Sequence, residues 1–337
     1  MRKTTQPVAR RGESSEGEVR EEAQARDFLA TRRTHYRRRR ECMGRCGCPT
    51  SRPRIPSSER GDNPTGTVLK SKIQGHIRPI RGASMNIFRN HRKLPSDRYS
   101  LGLDIADPKR TVTIPRSAHL AVIGESNSGK GSVIANIISQ EVAFGGEIWF
   151  IDLKAGMEAE NYCNVLARKA YTLEEAYDLL TDFNSNVDTL AAEWRGKTRS
   201  LTDAQTCHRL LVIDEAADMV RSGPNKKLSD SCIELVRSIL SRSRALNCTV
   251  VVATQNPRVS TSLPYRSLLL TTVALRLNSK GEATMALGED AVKRGARPWQ
   301  IPFSRPGDGY LWDTETNQTV YLHVPFISDE ELHRLHR

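Results

Sequence analysis

Between His119 and Asn136 the chain reads HLAVIGESNSGKGSVIAN, and few local structures accommodate that order of residues. An apolar run, Leu120 to Ile123, stops at Gly124. Glu125, Ser126, Asn127, Ser128, Gly129 and Lys130 follow, and then Val133, Ile134, Ile137 and Ile138 recur at helical spacing. The reading is strand, glycine-bounded loop, helix, and G-x-x-x-x-G-K is the spacing of a phosphate-binding loop. Gly129 lets the backbone approach an anion. Successive N–H groups and the helix N-terminus face it, and Lys130 brings a full charge to its outer phosphates. One position departs from the pattern. Gly131 follows the lysine where a Ser or Thr hydroxyl ordinarily ligates Mg²⁺, and Ser132 comes one place late. One residue along a helix turns about 100°. Either the helix begins differently, with Ser132 serving the metal, or water fills that ligand position.

Other apolar segments repeat the theme. Glu147–Leu153 reads as a buried strand with Asp152 and Lys154 at its end, and Leu210–Ile213 ends in Asp214 and Glu215. A strand ending in Asp-Glu is expected beside the strand of the phosphate loop, with Asp214 in the Mg²⁺ shell and Glu215 polarising the attacking water. Thr249–Thr254 is apolar and ends at Gln255, a polar residue that suits sensing a γ-phosphate or orienting the water. Tyr99–Ile105, Thr111–Ile114, Thr271–Leu277, Gly309–Trp312 and Val320–Val324 read as further strands. Residues 172–194, 228–247 and 328–336 read as helices. Apolar strands alternating with helices predict an α/β fold, a mainly parallel sheet covered on both faces. Ligands then gather at the carboxyl ends of the strands, where all four clusters fall.

The net charge of +12 is unevenly placed. Residues 1–84 hold 20 Lys and Arg against 9 Asp and Glu, and the rest holds 31 against 30. That first stretch is rich in Arg, Ser, Pro and Gly, and is expected to be a disordered basic extension. Its Arg37–Arg40 cluster suits phosphate contact; a solvated tail, or a start at Met85, are the plainer readings. Residues 85–118 read as a β lead-in and 119–337 as the main domain. No apolar run approaches the ~18 residues of a membrane helix. Cys42, Cys46 and Cys48 lack a standard zinc spacing, and Cys163, Cys207, Cys232 and Cys248 read as small buried side chains of a reducing compartment. A cytoplasmic location follows, with recruitment to the membrane left open.

The segments GESNSGKGS, IDLKAGME, LLVIDEAADM and SRSRALNCTVVVATQNP, in this order, resemble the FtsK/SpoIIIE family of DNA translocases. ALRLNS at 274–279, ALGEDAVKRGA at 286–296 and RPGDGYLWD at 305–313 point to its actinobacterial plasmid-transfer, TraB-like branch. The resemblance covers roughly residues 97–335. It implies a RecA-like motor that binds ATP and Mg²⁺ and closes, normally as a hexamer, around double-stranded DNA in conjugative transfer. Gln255 matches the ATQ sensor. Arg244 falls where the family's arginine finger reaches a neighbouring subunit, with Arg237 and Arg242 as competitors. Arg221, Lys226, Lys227, Arg258 and Arg266 fall in segments that would face the pore; the plain alternative is a set of exposed loop cations. Asn256 stands where chromosomal members carry Arg. No membrane anchor precedes the motor and no winged-helix reader follows it, so a membrane-anchoring partner is expected. The alternatives are a motor acting on exported protein, as in type VII secretion, and a nucleotide-binding remnant without hydrolysis.

Overall fold

The computed structural model describes residues 96–220, 223–258 and 262–336. The basic extension, its cysteine cluster, the start at Met85 and Arg221 lie outside the described residues.

Ten strands form one sheet: β1 (Arg98–Asp104), β2 (Thr111–Pro115), β3 (Leu120–Ile123), β4 (Glu147–Ile151), β5 (Leu166–Ala170), β6 (Arg209–Ile213), β7 (Cys248–Thr254), β8 (Thr271–Leu275), β9 (Asp308–Asp313) and β10 (Gln318–His323). Their order is β2-β1-β10-β9-β8-β3-β7-β6-β4-β5. From β8 to β5 all neighbours are parallel, and β9, β10, β1 and β2 add an antiparallel wing. Every residue of β3, β6, β7 and β8 is buried. That is why these strands are apolar on both faces and do not alternate.

The pleat divides them between two cores. Leu120 and Val122 of β3, with Leu210 and Val212 of β6, pack under α1 (Lys130–Ala143). Ala121, Ile123, Leu211 and Ile213 face the other way, onto α2 (Leu173–Trp194) and α4 (Lys226–Arg242). From Val133 to Glu141 every residue of α1 is buried. A helix covered all round holds its first residue, Lys130, at a fixed place above the sheet. Helix α2 starts at a capping box in which Thr172 accepts from Glu175 N–H. Among the described residues the remaining helices are short: α3 (Ala216–Met219), α5 (Lys280–Leu287), α6 (Glu289–Lys293) and α7 (Asp329–His333).

Several expectations need correction. The Asp-Glu strand β6 is not beside β3; β7 lies between them. This inserts Gln255 between the phosphate loop and the acids. The helix expected over 228–247 stops at Arg242. A 3₁₀ turn follows over Ser243–Leu246, closed by Asn247 in the left-handed region at φ 56. Arg244 therefore lies beyond the helix that carries Arg237. Strand β5 went unread, because Arg168 and Lys169 interrupt its apolar pattern at the sheet edge. Cys232 and Cys248 are buried as expected, but Cys163 and Cys207 sit in surface turns and are exposed.

Candidate nucleotide site

The loop after β3 is held from outside by the segments around it. Gly307 N–H donates to Ser128 O at 2.9 Å, and Arg276 Nη2 donates to Ser126 O at 3.0 Å. Asn278 Nδ2 donates to Glu125 Oε1 at 2.6 Å, and Ser126 Oγ donates to Gln255 Oε1 at 2.8 Å. Gly129 caps α1 with φ 103, and a Cβ there would lie 2.6 Å from Gly307 N. No L side chain fits that conformation and that contact together. Lys130 Nζ donates to the carbonyls of Gly124 and Glu125 at 2.8 and 3.1 Å, at the mouth of the loop. Burial lowers its pKa, against the opposing charge of Glu215. Ser128 Oγ is buried inside the loop without a hydrogen-bond partner. A buried donor with no partner is costly, and a phosphate oxygen would satisfy it.

The acids meet this loop on the same rim. Glu215 is buried and tightly held. Thr254 Oγ1 donates to its Oε1 at 2.6 Å, Gln255 N–H reaches both oxygens at 3.2 Å, and Lys154 Nζ pairs with Oε2 at 3.2 Å. Asp214 is half-buried. Desolvation first, then the charge of Glu158, pushes its carboxyl up to about 7, with Lys154 opposing and Asp152 and Glu215 adding. Asp152 is fully buried, and its carboxylate accepts from the backbone N–H of Lys154, Glu158 and Ala159 at 3.0, 2.8 and 3.1 Å. It shapes the turn after β4 rather than facing a ligand. That turn delivers Lys154 to Glu215. We predict that Lys154→Met lowers the free energy of urea unfolding by roughly 1 kcal/mol or less, the scale of a partly exposed ion pair. Lys154→Arg should retain most of that stability in the same assay, and equal loss in both variants would count against the pairing.

A cavity of about 420 Å³ opens at this rim, lined by Lys130, Gly131, Ser132, Glu158, Asp214 and Gln255. Among the described residues no three His, Cys, Asp or Glu side chains form a ready metal cage. Mg²⁺ needs none, because one or two carboxylates, phosphates and waters ordinarily complete its shell. The residues present therefore fit a magnesium nucleotide.

The remaining candidates lie elsewhere. Arg244 precedes β7, on the rim opposite Lys130, and pairs with Glu315. Arg242 binds Asp188 and Asn184 of α2, and Arg237 donates to Pro264 O at 2.8 Å. Lys226, Lys227 and Arg258 are exposed, Lys226 pairing with Asp230 one helical turn on. Arg266 corrects the expectation of a DNA contact. Its guanidinium donates to Leu269 O at 2.8 Å and to Ala286 O, half-buried in the fold, and burial lowers its pKa. Its charge ties down backbone carbonyls instead of facing a groove. Thr254, Arg276, Asn278 and Glu158 also shape the site, although the motif spacing did not single them out. A second hollow of about 720 Å³ lies on the opposite rim beside Arg116, Asp203 and Arg244.

A parallel sheet with a phosphate loop after one strand, acids two strands away and a glutamine between them defines a RecA-like P-loop ATPase motor fold. No protein-family model matches the chain. Among curated proteins it is similar to the DNA translocase FtsK of Pseudomonas syringae pv. tomato, 22% identical over 277 residues, covering 70% of this chain and 33% of that protein. It is also similar to the Protein Tra of Streptomyces lividans, 21% identical over 222 residues, covering 59% and 34%. The chain thus spans about a third of the length of these relatives. Among solved structures, the pCW3 conjugation coupling protein TcpA, a monomer with ATPγS, superposes with a TM-score of 0.60 at 17% identity, over 70% of this chain and 68% of that one. The cytoplasmic domain of the Thermomonospora curvata type VII secretion ATPase EccC gives 0.54 at 19%, over 72% and 31%. These relatives bear out the resemblance to FtsK/SpoIIIE proteins and to their Tra-like branch.

Proposed function

We propose that this chain is an ATP-hydrolysing motor that moves double-stranded DNA in the conjugative transfer of a plasmid or integrative element. The convergence of Lys130, Asp214, Glu215 and Gln255 at one rim carries the proposal. Lys130 exchanges the carbonyls of Gly124 and Glu125 for the outer phosphates. Asp214 would hold Mg²⁺, with Ser132 lining the same cavity, and the ion would neutralise charge on the phosphates. Glu215, fixed by Thr254 and the Gln255 N–H, accepts a proton from the attacking water. Gln255, tied to the loop through Ser126, senses the terminal phosphate.

Arg244 cannot reach the pocket of its own subunit from the opposite rim, so it serves a neighbour's pocket in a homo-oligomeric ring, hexameric as in the resembled family. Its partner Glu315 would hold it in the unassembled chain. Residues 119–337 form the motor, 85–118 its lead-in and 1–84 a basic extension. Among the described residues no helix is long and apolar enough to cross a membrane.

Lys226, Lys227 and Arg258 are the remaining described cations for a DNA backbone. Phosphate contacts carry no sequence information, so duplexes of different sequence should bind alike. Purified protein is expected to hydrolyse ATP faster when long duplex DNA is added. If these three cations each neutralise one phosphate, log affinity should fall against log salt with a slope of roughly −2.7 per engaged subunit. Charge-reversal at Arg258 and Lys227 should flatten that slope without changing DNA-free hydrolysis. Turnover indifferent to duplex DNA, with no binding at low salt, would favour the second reading, a motor acting on exported protein, to which the likeness to EccC gives weight.

A further inference from the structure

The site as described leaves one ligand position empty of side chain. In phosphate loops the residue after the lysine places a hydroxyl on Mg²⁺. Here it is Gly131, on the first turn of α1, and it has no side chain to offer. What occupies the space in front of it is specific. A Cβ built on Gly131 would meet Glu158 Oε1 at 3.3 Å, and the next two atoms within 4 Å are Glu158 Cδ and Oε2. The three nearest atoms to the missing side chain all belong to that carboxyl.

Glu158 is not there by accident of a mobile side chain. It ends the turn after β4, where Ala155 and Gly156 take left-handed φ of 60 and 77. The buried Asp152 carboxylate holds the Glu158 N–H at 2.8 Å and the Ala159 N–H at 3.1 Å, and a 3₁₀ turn starts at Ala159. Tyr162 OH donates to Glu158 Oε1 at 3.2 Å from the other end of that turn. The carboxylate lines the same cavity as Lys130, Ser132 and Asp214.

We propose that Glu158 takes the place of the absent loop hydroxyl and serves with Asp214 as a protein ligand of the nucleotide's Mg²⁺. The inference rests on the nucleotide reading of the cavity. It explains why glycine is tolerated after Lys130. A side chain at 131 would crowd an oxygen that already stands at the ligand position, and a neutral hydroxyl is replaced by an anion. Hard divalent ions prefer such oxygens, and Mg²⁺ sites ordinarily use one or two carboxylates beside the phosphates.

The exchange has a signature that a packing role lacks. A carboxylate in place of a hydroxyl helps only when the ion is present. Without the ion it repels the triphosphate. Glu158→Gln, which keeps the size and an acceptor for Tyr162, should therefore weaken metal binding and strengthen metal-free nucleotide binding.

The test uses the full chain, a fluorescent ATP analogue with either excess Mg²⁺ or EDTA, and Mn²⁺ titrated in the presence of nucleotide and followed by electron paramagnetic resonance. Loss of even an outer-shell partner typically costs about ten- to a hundredfold in metal affinity, so loss of a direct ligand should cost at least that much. Glu158→Gln is expected to lower Mn²⁺ affinity at least about tenfold and to raise nucleotide affinity in EDTA. Adding Gly131→Ser to Glu158→Ala, which clears the space in front of residue 131, should recover much of the Mn²⁺ affinity. Mn²⁺ affinity within about twofold of wild type, or an equal loss of nucleotide binding with and without metal, overturns the role of Glu158 and leaves the nucleotide reading standing. Wild-type protein that binds no nucleotide in either condition overturns both.

Discussion

Glu215→Gln is expected to retain ATP and to hydrolyse it at most about a thousandth as fast as the wild type, the scale on which removal of a positioned general base is felt. The expectation follows from how this carboxylate is held. Thr254 Oγ1, Gln255 N–H and Lys154 Nζ all donate to it, so its two oxygens are fixed. The amide of glutamine reproduces one acceptor and turns a donor toward the others. Binding depends on the loop and Lys130, which the substitution does not touch. Lys130→Ala should instead lose both nucleotide affinity and turnover. Single-turnover hydrolysis with a parallel measurement of bound nucleotide separates the two. A Glu215→Gln variant slowed less than about tenfold would move the proton acceptor to another group, and Asp214 would be the next candidate.

That pairing of loop and acids was legible from residues alone, because each half is local. A phosphate loop is a contiguous stretch whose glycines and lysine are dictated by backbone geometry around an anion. The strand before Asp214 announces itself by being buried on both faces. Helix α2 was equally plain, since its apolar spacing starts at a Thr-x-x-Glu box.

What was hidden is what depends on partners distant in sequence. The order β3-β7-β6 cannot be read from strand composition, because all three strands are buried along their whole length and show no alternation. Strand β5 has no such run, since an edge strand needs cover on fewer sides and Arg168 is free to pair with Asp182 of α2. The 3₁₀ turn under Arg244 looked like more helix until Asn247 closed it. Arg266 looked like a surface cation, and only the tertiary fold brings the Ala286 carbonyl to it, twenty residues away. The place of Glu158 before Gly131 joins two segments that no spacing rule connects.

The deepest of these hidden features carries the second large effect: removing Glu141 should destabilise the fold by about 3–5 kcal/mol, as expected when one partner of a buried ion pair is lost. Glu141 lies in α1, fully buried, three turns beyond Lys130. Arg116 Nη2 and Nε grip its two oxygens at 2.7 and 3.0 Å, His208 Nδ1 lies 2.9 Å from Oε1, and Tyr99 OH donates to Oε2. These partners come from β1, the residue after β2 and the residue before β6, so the hub sets the end of α1 against the sheet. The register of the helix that presents Lys130 depends on it. Glu141→Ala would leave the guanidinium of Arg116 buried and short of its partner. A change of 3–5 kcal/mol is a large share of the 5–15 kcal/mol that holds most domains folded. Burial alone would raise the Glu141 pKa, but the hydrogen bonds and charges of His208 and Arg116 override it and hold the carboxyl at about 2. A depressed carboxylate stabilises the fold above its unfolded pKa of 4.5 and loses that contribution as pH falls through 2. His119 acts over a higher window. Burial lowers it to about 4 from 6.5, so the fold prefers it neutral and loses stability as pH falls from 6.5 toward 4. Urea unfolding across pH should therefore show wild-type stability declining in two stages, each on the order of 3 kcal/mol. Glu141→Ala should start lower and lack the stage below pH 4.5, while keeping the His119 stage intact. A variant within about 1 kcal/mol of wild type at neutral pH would mean that the apolar cores alone set the position of α1.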